Sequence, residues 1–217
     1  MKRVCIALLS IAALTLTAAA ASAQLTDEQK NDGWISIFDG KTLTGWKSNE
    51  KYEGFEIKDG AIVGKGNRNH LYYMEELQNF ELKLDVKISK GGNSGVYVKS
   101  QWQDENWPVT GFELQVNSSH SDPVKTGSLY NIIKLFKAPH GDDEWFTYHL
   151  ICKGRTLEVR VDGELLYIYD DPVEKAAPVS EKITEQNKRI SQKGYIALQQ
   201  HDPKSIPQFK NIYLKKL

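Results

Sequence analysis

Cysteine is scarce in this chain, with only two among its 217 residues. One of them, Cys5, lies in the apolar N-terminal stretch, so Cys152 is the only cysteine of the remaining chain and no intrachain disulfide is expected. The strand-like setting Leu150-Ile151-Cys152 is typical of a buried, unreactive thiol rather than of a nucleophile.

An excess of charge of either sign is also lacking, because 28 basic side chains stand against 28 acidic ones. Nucleic acid and anionic membrane surfaces attract strongly basic proteins, so this composition gives no reason to expect either as a partner. Several familiar catalytic motifs are missing as well: the Glu-x-Asp-x-x-Glu array of laminarinase-type glycosidases, His-Glu-x-x-His, Gly-x-Ser-x-Gly and a phosphate loop.

The first 23 residues have the three parts of a secretory signal peptide. Lys2 and Arg3 give a basic start, an apolar run extends from Val4 to Ala20, and Ala21-Ser22-Ala23 fits a cleavage site. No stop-transfer pattern follows, so the sequence predicts a periplasmic or secreted protein without a transmembrane segment. Residues 24–217 carry no repeat or linker and are predicted to form a single domain.

Short strands dominate the rest of the sequence. Phe80 to Ile88 alternates strictly between apolar and charged residues, and Asp59-Gly60 and Asp162-Gly163 are tight hairpin turns. About a dozen such strands predict an all-β sandwich of two antiparallel sheets, although strand signals alone do not distinguish a jelly roll from other sandwiches. Only Glu174 to Lys193, polar and charged, is typical of a helix.

Three candidate strands place polar side chains on one surface if they share a sheet, because side chains alternate across a strand. These strands are 95–100, 111–116 and 195–201. Their predicted outward residues are Tyr97, Lys99, Glu113, Gln115, Tyr195, Gln199 and His201, and the tryptophans of the intervening loop, Trp102 and Trp107, are predicted to line a rim.

One interpretation of this surface is an ordinary solvated sheet face. The other is a functional site, which the chemistry of its side chains favours. A carboxylate and an imidazole can move protons near neutral pH, and amides, phenols and indoles suit sugar hydroxyls and ring faces. The remaining histidines show no ligand spacing, so no metal site is predicted: His70, His120, His140 and His149.

Seven segments in order resemble the 3-keto-disaccharide hydrolase domain family. They are Trp34-Ile-Ser-Ile-Phe-Asp-Gly-Lys-Thr-Leu-Thr-Gly-Trp46, Asn79-Phe-Glu-Leu82, Gly92-Asn-Ser-Gly-Val-Tyr97, Gly111-Phe-Glu-Leu-Gln115, Thr126-Gly-Ser-Leu-Tyr130, Ile196-Ala-Leu-Gln-Gln-His201 and Phe209-Lys-Asn-Ile212. The resemblance implies a concanavalin-like jelly roll with a concave polar face, acting on glycosides that are oxidised to a ketone at C3. This chain has Gln200-His201-Asp202 where many relatives have Asp-His-Gly, and Lys99 where many have arginine.

On that resemblance we expect a carbohydrate-processing enzyme that abstracts the C2 proton of a 3-keto-glycoside, eliminates the aglycone and adds water. Glu113 is the expected base and His201 the expected acid, with the two roles exchangeable. Lys99 and Gln115 are the expected hydrogen-bond donors to the enolate oxygen or to a sugar hydroxyl. No cofactor is evident, and a divalent metal is left open as a replacement for one of these donors. The alternatives are a non-catalytic carbohydrate-binding module and a structural domain of the cell envelope. The expected substrate-binding residues are Tyr97, Lys99, Trp102, Gln115, Tyr130 and Gln199.

Overall fold

The computed structural model describes residues 24–172 and 192–217. These residues form one short helix, α1, and thirteen strands. The bounds are α1 Asp27–Asn31, β1 Trp34–Ser36, β2 Trp46–Ser48, β3 Phe55–Lys58, β4 Ala61–Gly64, β5 Asn69–Leu77, β6 Phe80–Ile88, β7 Ser94–Ser100, β8 Phe112–Val116, β9 Phe146–Lys153, β10 Thr156–Val161, β11 Glu164–Asp170, β12 Gly194–Gln200 and β13 Pro207–Lys216.

Two antiparallel sheets pack face to face, which confirms the predicted jelly-roll sandwich. The larger sheet has the order β11-β10-β9-β6-β13-β4-β3, with β1 also paired to β13. The smaller sheet has the order β2-β5-β12-β7-β8, so strands distant in sequence become neighbours. Its outer face is the concave, polar side of the sandwich, and the candidate site lies there.

One apolar core fills the space between the sheets. The alternation along β6 holds throughout, since Phe80, Leu82, Leu84, Val86 and Ile88 are all fully buried. Alternate residues of β8 and β12 also lie in this core. Because side chains alternate across a strand, the residues between them face solvent or a ligand. Cys152 is buried in this core, and burial raises the pKa of its thiol to about 12, so it is the inert thiol that its setting predicted.

Turn chemistry positions the hairpins. Asp59 and Gly60 both have positive φ between β3 and β4, and Asp162 and Gly163 repeat this between β10 and β11, as two-residue hairpin turns require. Three strands were not anticipated from the sequence: β1, β2 and β5. The last of these matters for function because it pairs directly with β12 on the concave side.

Two sequence predictions lie wholly or largely outside the described residues. The predicted signal peptide covers residues 1–23, and the predicted helix from Glu174 to Lys193 falls almost entirely within 173–191. Within residues 24–172 and 192–217, no helix has the length and apolar character needed to cross a membrane.

Candidate active site

A cavity of about 300 Å³ opens on the concave face of the smaller sheet. Strands β7, β8 and β12 form its floor, and loops bring further side chains to its walls. Seven residues expected from the sequence lie around it: Tyr97, Trp107, Glu113, Gln115, Tyr130, Gln199 and His201. The other lining residues are Asn93, Pro108, Asp122 and Asn131.

Hydrogen bonds fix the Glu113 carboxylate at the centre of the floor. The Tyr97 hydroxyl donates to Oε2 at 2.8 Å, and Gln199 Nε2 donates to Oε1 at 3.2 Å. Burial, and after it the charge of Glu113, hold the pKa of Tyr97 well above its usual value, so the phenol remains a donor. Gly95 makes this arrangement possible, because a Cβ there would lie 2.5 Å from Oε1 of Glu113.

The two glutamines of the floor direct their amide nitrogens into the protein. Gln199 Nε2 also donates to the Tyr97 hydroxyl at 3.1 Å, and Gln115 Nε2 donates to Oδ1 of Asn93. The Oε1 atoms of both glutamines are buried and have no hydrogen-bond partner in the part of the chain that the structure describes. Buried acceptors in this state favour a ligand that carries hydroxyl donors.

His201 follows the last residue of β12 and lies against the cavity. Its Nδ1 is 2.7 Å from Oδ2 of Asp202. The Trp107 ring lies 5.0 Å from the imidazole, centroid to centroid, and the His120 ring lies 6.0 Å from it. The imidazole is thus held by a carboxylate at one nitrogen and by rings of two loops.

His70 is a second histidine of the concave face, and sequence reasoning assigned it no role. It lies on β5 opposite Gln199, with its ring 5.5 Å from that of Tyr97 and 5.6 Å from that of Trp107. The side chain is fully buried, and burial lowers its pKa to about 3. Neither ring nitrogen has a hydrogen-bond partner among the described residues. His70 is therefore a neutral imidazole beneath the wall that Trp107 forms.

Lys99 does not lie at the cavity, which corrects the prediction from alternation. It has a φ of 62° at the end of β7, and this irregularity carries its side chain to the edge of the core. There Nζ donates to the carbonyl oxygens of Leu77 and Gln78 and lies 5.3 Å from the Phe80 ring centroid. Only 2% of Lys99 is exposed, so it is not available to a ligand in the cavity.

Trp102 does not line the cavity either. Its ring packs 5.1 Å from that of Tyr72, within a small cluster that also includes Tyr97, Ala197 and Tyr195. Lys47 Nζ lies 4.1 Å from the ring centroid. Trp102 therefore anchors the loop after β7, and Trp107 further along that loop is the tryptophan that forms the cavity wall.

Loop residues that sequence reasoning missed complete the wall. Asn131 has a φ of 64°, a left-handed conformation that asparagine tolerates better than most residues and that often marks functional sites. Beside it, burial and the charge of Glu113 raise the pKa of Tyr130. The only available signal for Asn131 was its place directly after the family-like segment ending at Tyr130.

The charged residues of the cavity lining are mainly acidic. Glu113 and Asp122 contribute carboxylates, and no lysine or arginine lines the cavity in residues 24–172 and 192–217. Over the same residues, no group of three or more His, Cys, Asp and Glu side chains is arranged to hold a metal ion. The cavity is thus equipped for a neutral ligand rich in hydroxyl groups.

Comparison with known proteins adds a family. The model of the 3-keto-alpha-glucoside-1,2-lyase-like domain matches residues 33–215. A 3-keto-disaccharide hydrolase of Bacteroides thetaiotaomicron is 38% identical over 82 residues, which cover 32% of this chain and 28% of that relative. This match therefore spans little more than a quarter of the relative's length.

Solved structures agree with the fold. A Parabacteroides distasonis protein assigned provisionally to the glycosyl hydrolases superimposes with a TM-score of 0.75 at 27% identity, covering 90% of this chain and 99% of the other. A carbohydrate-binding module of Bacillus subtilis has a TM-score of 0.57 at 13% identity, covering 79% of this chain and 96% of the module. The second likeness is one of fold alone.

Proposed function

Because this chain belongs to the 3-keto-alpha-glucoside-1,2-lyase-like domain family, we propose that it is an exported enzyme that cleaves 3-keto-glycosides. The observation that carries the proposal is the placement of Glu113 and His201 around one cavity. That cavity has an acceptor-rich floor and, within the described residues, no lysine or arginine in its lining, which suits a neutral sugar. The names of the relatives support the same class of substrate.

The chemistry depends on the ketone. A carbonyl at C3 acidifies the hydrogen at C2, because the electron pair left at C2 delocalises onto the carbonyl oxygen as an enolate. Collapse of the enolate forms a C1–C2 double bond, restores the C3 carbonyl and breaks the bond from C1 to the aglycone oxygen. Addition of water across the double bond, hydroxyl at C1 and proton at C2, completes a net hydrolysis.

Glu113 is the proposed base for the C2 proton. Its carboxylate lies over Gly95, where no side chain stands between it and the cavity, and two hydrogen bonds fix its orientation. A fixed carboxylate avoids the cost of reorganisation when the proton is transferred. Once protonated, Glu113 can return the same proton to C2 during hydration.

His201 is the proposed acid for the leaving oxygen. As an imidazolium it donates a proton from Nε2 to the aglycone oxygen, and as a neutral imidazole it then accepts a proton from the water that attacks C1. The Tyr130 hydroxyl and the Asn131 amide are the proposed donors to the enolate oxygen. They replace Lys99, which does not line the cavity, and Gln115, whose amide nitrogen donates to Asn93.

The size of the cavity supports one sugar ring together with the bond to be cleaved. Its volume of about 300 Å³ is at the lower end of the range of roughly 300–1,000 Å³ for ligand sites. Trp107, 39% exposed, offers part of its ring face to the sugar or to the aglycone.

One experiment tests the proposal. The purified protein is incubated with 3-keto-p-nitrophenyl glucosides of both anomers and with the unoxidised glucosides, and release of nitrophenol is followed with and without EDTA. We expect release from the oxidised glucosides alone, unchanged by EDTA. Binding of the oxidised sugar without release would favour the carbohydrate-binding module. Rapid cleavage of the unoxidised sugar would instead indicate direct displacement by paired carboxylates.

A further inference from the structure

The turn after β12 holds a carboxylate against His201. Oδ2 of Asp202 is 2.7 Å from Nδ1 of His201 and also accepts a hydrogen bond from Ser205 Oγ at 2.9 Å. Oδ1 accepts from the backbone N–H of Lys204 at 2.8 Å. The carboxylate is therefore fixed by its own turn, independently of the imidazole.

This contact determines which nitrogen of the imidazole carries the proton. An ionised carboxylate only accepts hydrogen bonds, so Nδ1 must donate and the neutral ring is protonated there. Although partial burial opposes it, the hydrogen bond from His201, followed by those from Lys204 and Ser205, lowers the pKa of Asp202 and keeps the carboxylate ionised. Nε2 is left as the nitrogen that can exchange a proton with a ligand in the cavity.

The ring plane is restrained as well. Trp107 and His120 lie at 5.0 and 6.0 Å from the imidazole centroid. The orientation of His120 is itself set, because its Nδ1 accepts a hydrogen bond from the backbone N–H of Asp122 at 3.0 Å. His201 thus has a fixed plane and a fixed tautomer.

We propose that Asp202 is a positioning residue of this site, which holds the proton of His201 on Nδ1, directs Nε2 to the cavity and stabilises the imidazolium. Only the expected effect of Asp202 on kcat rests on the proposed function; its effect on the imidazole does not. Asp202 touches His201 and not the reacting atoms, so it acts through the imidazole.

Other ionisable groups face the same imidazole and belong to its electrostatic environment. They come from the strands of the floor, from the loops of the wall and from the turn itself: His70, Glu113, His120, Asp122 and Lys204. Because they stay in place in an Asp202 variant, a change in the His201 tautomer there reports on Asp202.

Asp202→Asn is the test, since it keeps the size of the side chain and removes the charge. We expect kcat on a 3-keto-glucoside to fall by roughly 10²-fold, the lower end of the range for acid–base catalysis. The loss should come with a change in the His201 tautomer, because the carboxylate that accepts from Nδ1 is gone. A role in folding alone would not change the tautomer.

The chain offers a matched control. His149 Nε2 and Oε2 of Glu81 form a similar pair, 2.9 Å apart, on the outer face of the larger sheet. Glu81→Gln removes that carboxylate without touching the cavity and should leave kcat and the His201 tautomer unchanged.

A readout independent of activity separates this inference from the proposed function. Nitrogen-15 NMR of the imidazole should show neutral His201 protonated at Nδ1 in the unmodified protein, with a shift toward Nε2 protonation in Asp202→Asn. Asp202→Ser is measured in the same way, in case the first variant folds poorly. An unchanged His201 tautomer in a folded variant would overturn the positioning role. An unmodified protein inactive on 3-keto sugars, with the NMR result as expected, would overturn only the proposed function.

Discussion

The outer faces of the two sheets use polar side chains in opposite ways. On the larger sheet, Glu81 contacts His149 and Asp85 accepts from Thr147 at 2.7 Å, so the charged residues of β6 have neighbours on adjacent strands. On the smaller sheet, the Oε1 atoms of Gln115 and Gln199 and both ring nitrogens of His70 are buried without partners among the described residues.

The difference indicates which face is prepared for a ligand. A satisfied polar pair at the surface contributes little and costs little. A buried acceptor or ring nitrogen without a partner costs about 1–3 kcal/mol, and that cost is recovered only when something binds there. The concave face therefore carries a stability penalty that the outer face of the larger sheet does not.

Glu113→Gln should show the largest effect of any single change on the concave face. It keeps the size and an acceptor oxygen but removes the basicity, so turnover should fall by roughly 10²–10⁴-fold with KM little changed. Steady-state kinetics on a 3-keto-glucoside measure it, and deuterium at C2 should slow the unmodified enzyme if proton removal limits the rate. Glu56→Gln, an exposed position on the larger sheet, is the control and should be silent. Full activity in Glu113→Gln would remove the base from the proposal.

Gly95→Ala should reduce activity next most strongly, by roughly 10²-fold, the scale of a misplacement of about 1 Å. The added Cβ would lie 2.5 Å from Oε1 and 2.8 Å from Cγ of Glu113, so this side chain must shift and its hydrogen bonds with Tyr97 and Gln199 weaken. The same change in the Glu113→Gln background should have little further effect on turnover. Additive losses would show that Gly95 acts by another route.

His70→Phe should increase the free energy of unfolding by about 1 kcal/mol at pH 7, since it removes two buried nitrogens without partners. The gain should grow as the pH falls from 6.5 toward 3. In that window the unfolded chain protonates His70 while the folded protein does not, so the unmodified protein loses stability.

Urea unfolding at pH 7 and pH 4.5 measures this difference. His149→Phe is the matched change on the other face, and it should fail to stabilise the protein because it leaves Glu81 without its imidazole. Equal effects of the two substitutions would contradict the contrast between the faces.

Glu81→Gln should have the smallest effect of the series. Its carboxylate is partly exposed, and pairs of this kind contribute about 0–1 kcal/mol. Thermal unfolding and kcat should both stay close to those of the unmodified protein. A large loss of activity would mean that the outer face of the larger sheet is coupled to the cavity.

The architecture could be predicted from sequence because strand alternation and turn chemistry are local. Strand β6 and the Asp-Gly hairpins have the predicted bounds and conformations. Strand β5 was not predicted from the sequence. Asn69, His70, Leu71 and Tyr72 are all buried, so this part of the strand lacks the alternation of apolar and polar residues that an exposed face produces. Without β5, no sequence pattern indicated that His70 lies on the concave face.

Alternation along the strands also predicts part of the site, but not all of it. Glu113, Gln115 and Gln199 lie in regular stretches of strand, where counting by two is valid. The count fails at Lys99, where the backbone turns left-handed beside Gly111 and Gly194, whose missing side chains leave room for it. The contribution of Trp107, and not Trp102, to the wall was beyond periodicity because loops have none.

The carboxylate that orients His201 is held by positions next to it in sequence. Asp202, Lys204 and Ser205 make its hydrogen bonds within four consecutive positions, whereas the floor of the cavity draws on strands separated by some hundred residues. Ser205 is also tied to the cavity lining, because its Oγ accepts a hydrogen bond from the backbone N–H of Asn93 at 2.9 Å. An exchange of Asp202 alone can therefore alter how the imidazole handles protons while the strands that shape the sugar site stay as they are. Protonation behaviour and sugar selection are thus encoded in separable pieces of sequence, open to independent change in evolution or in engineering.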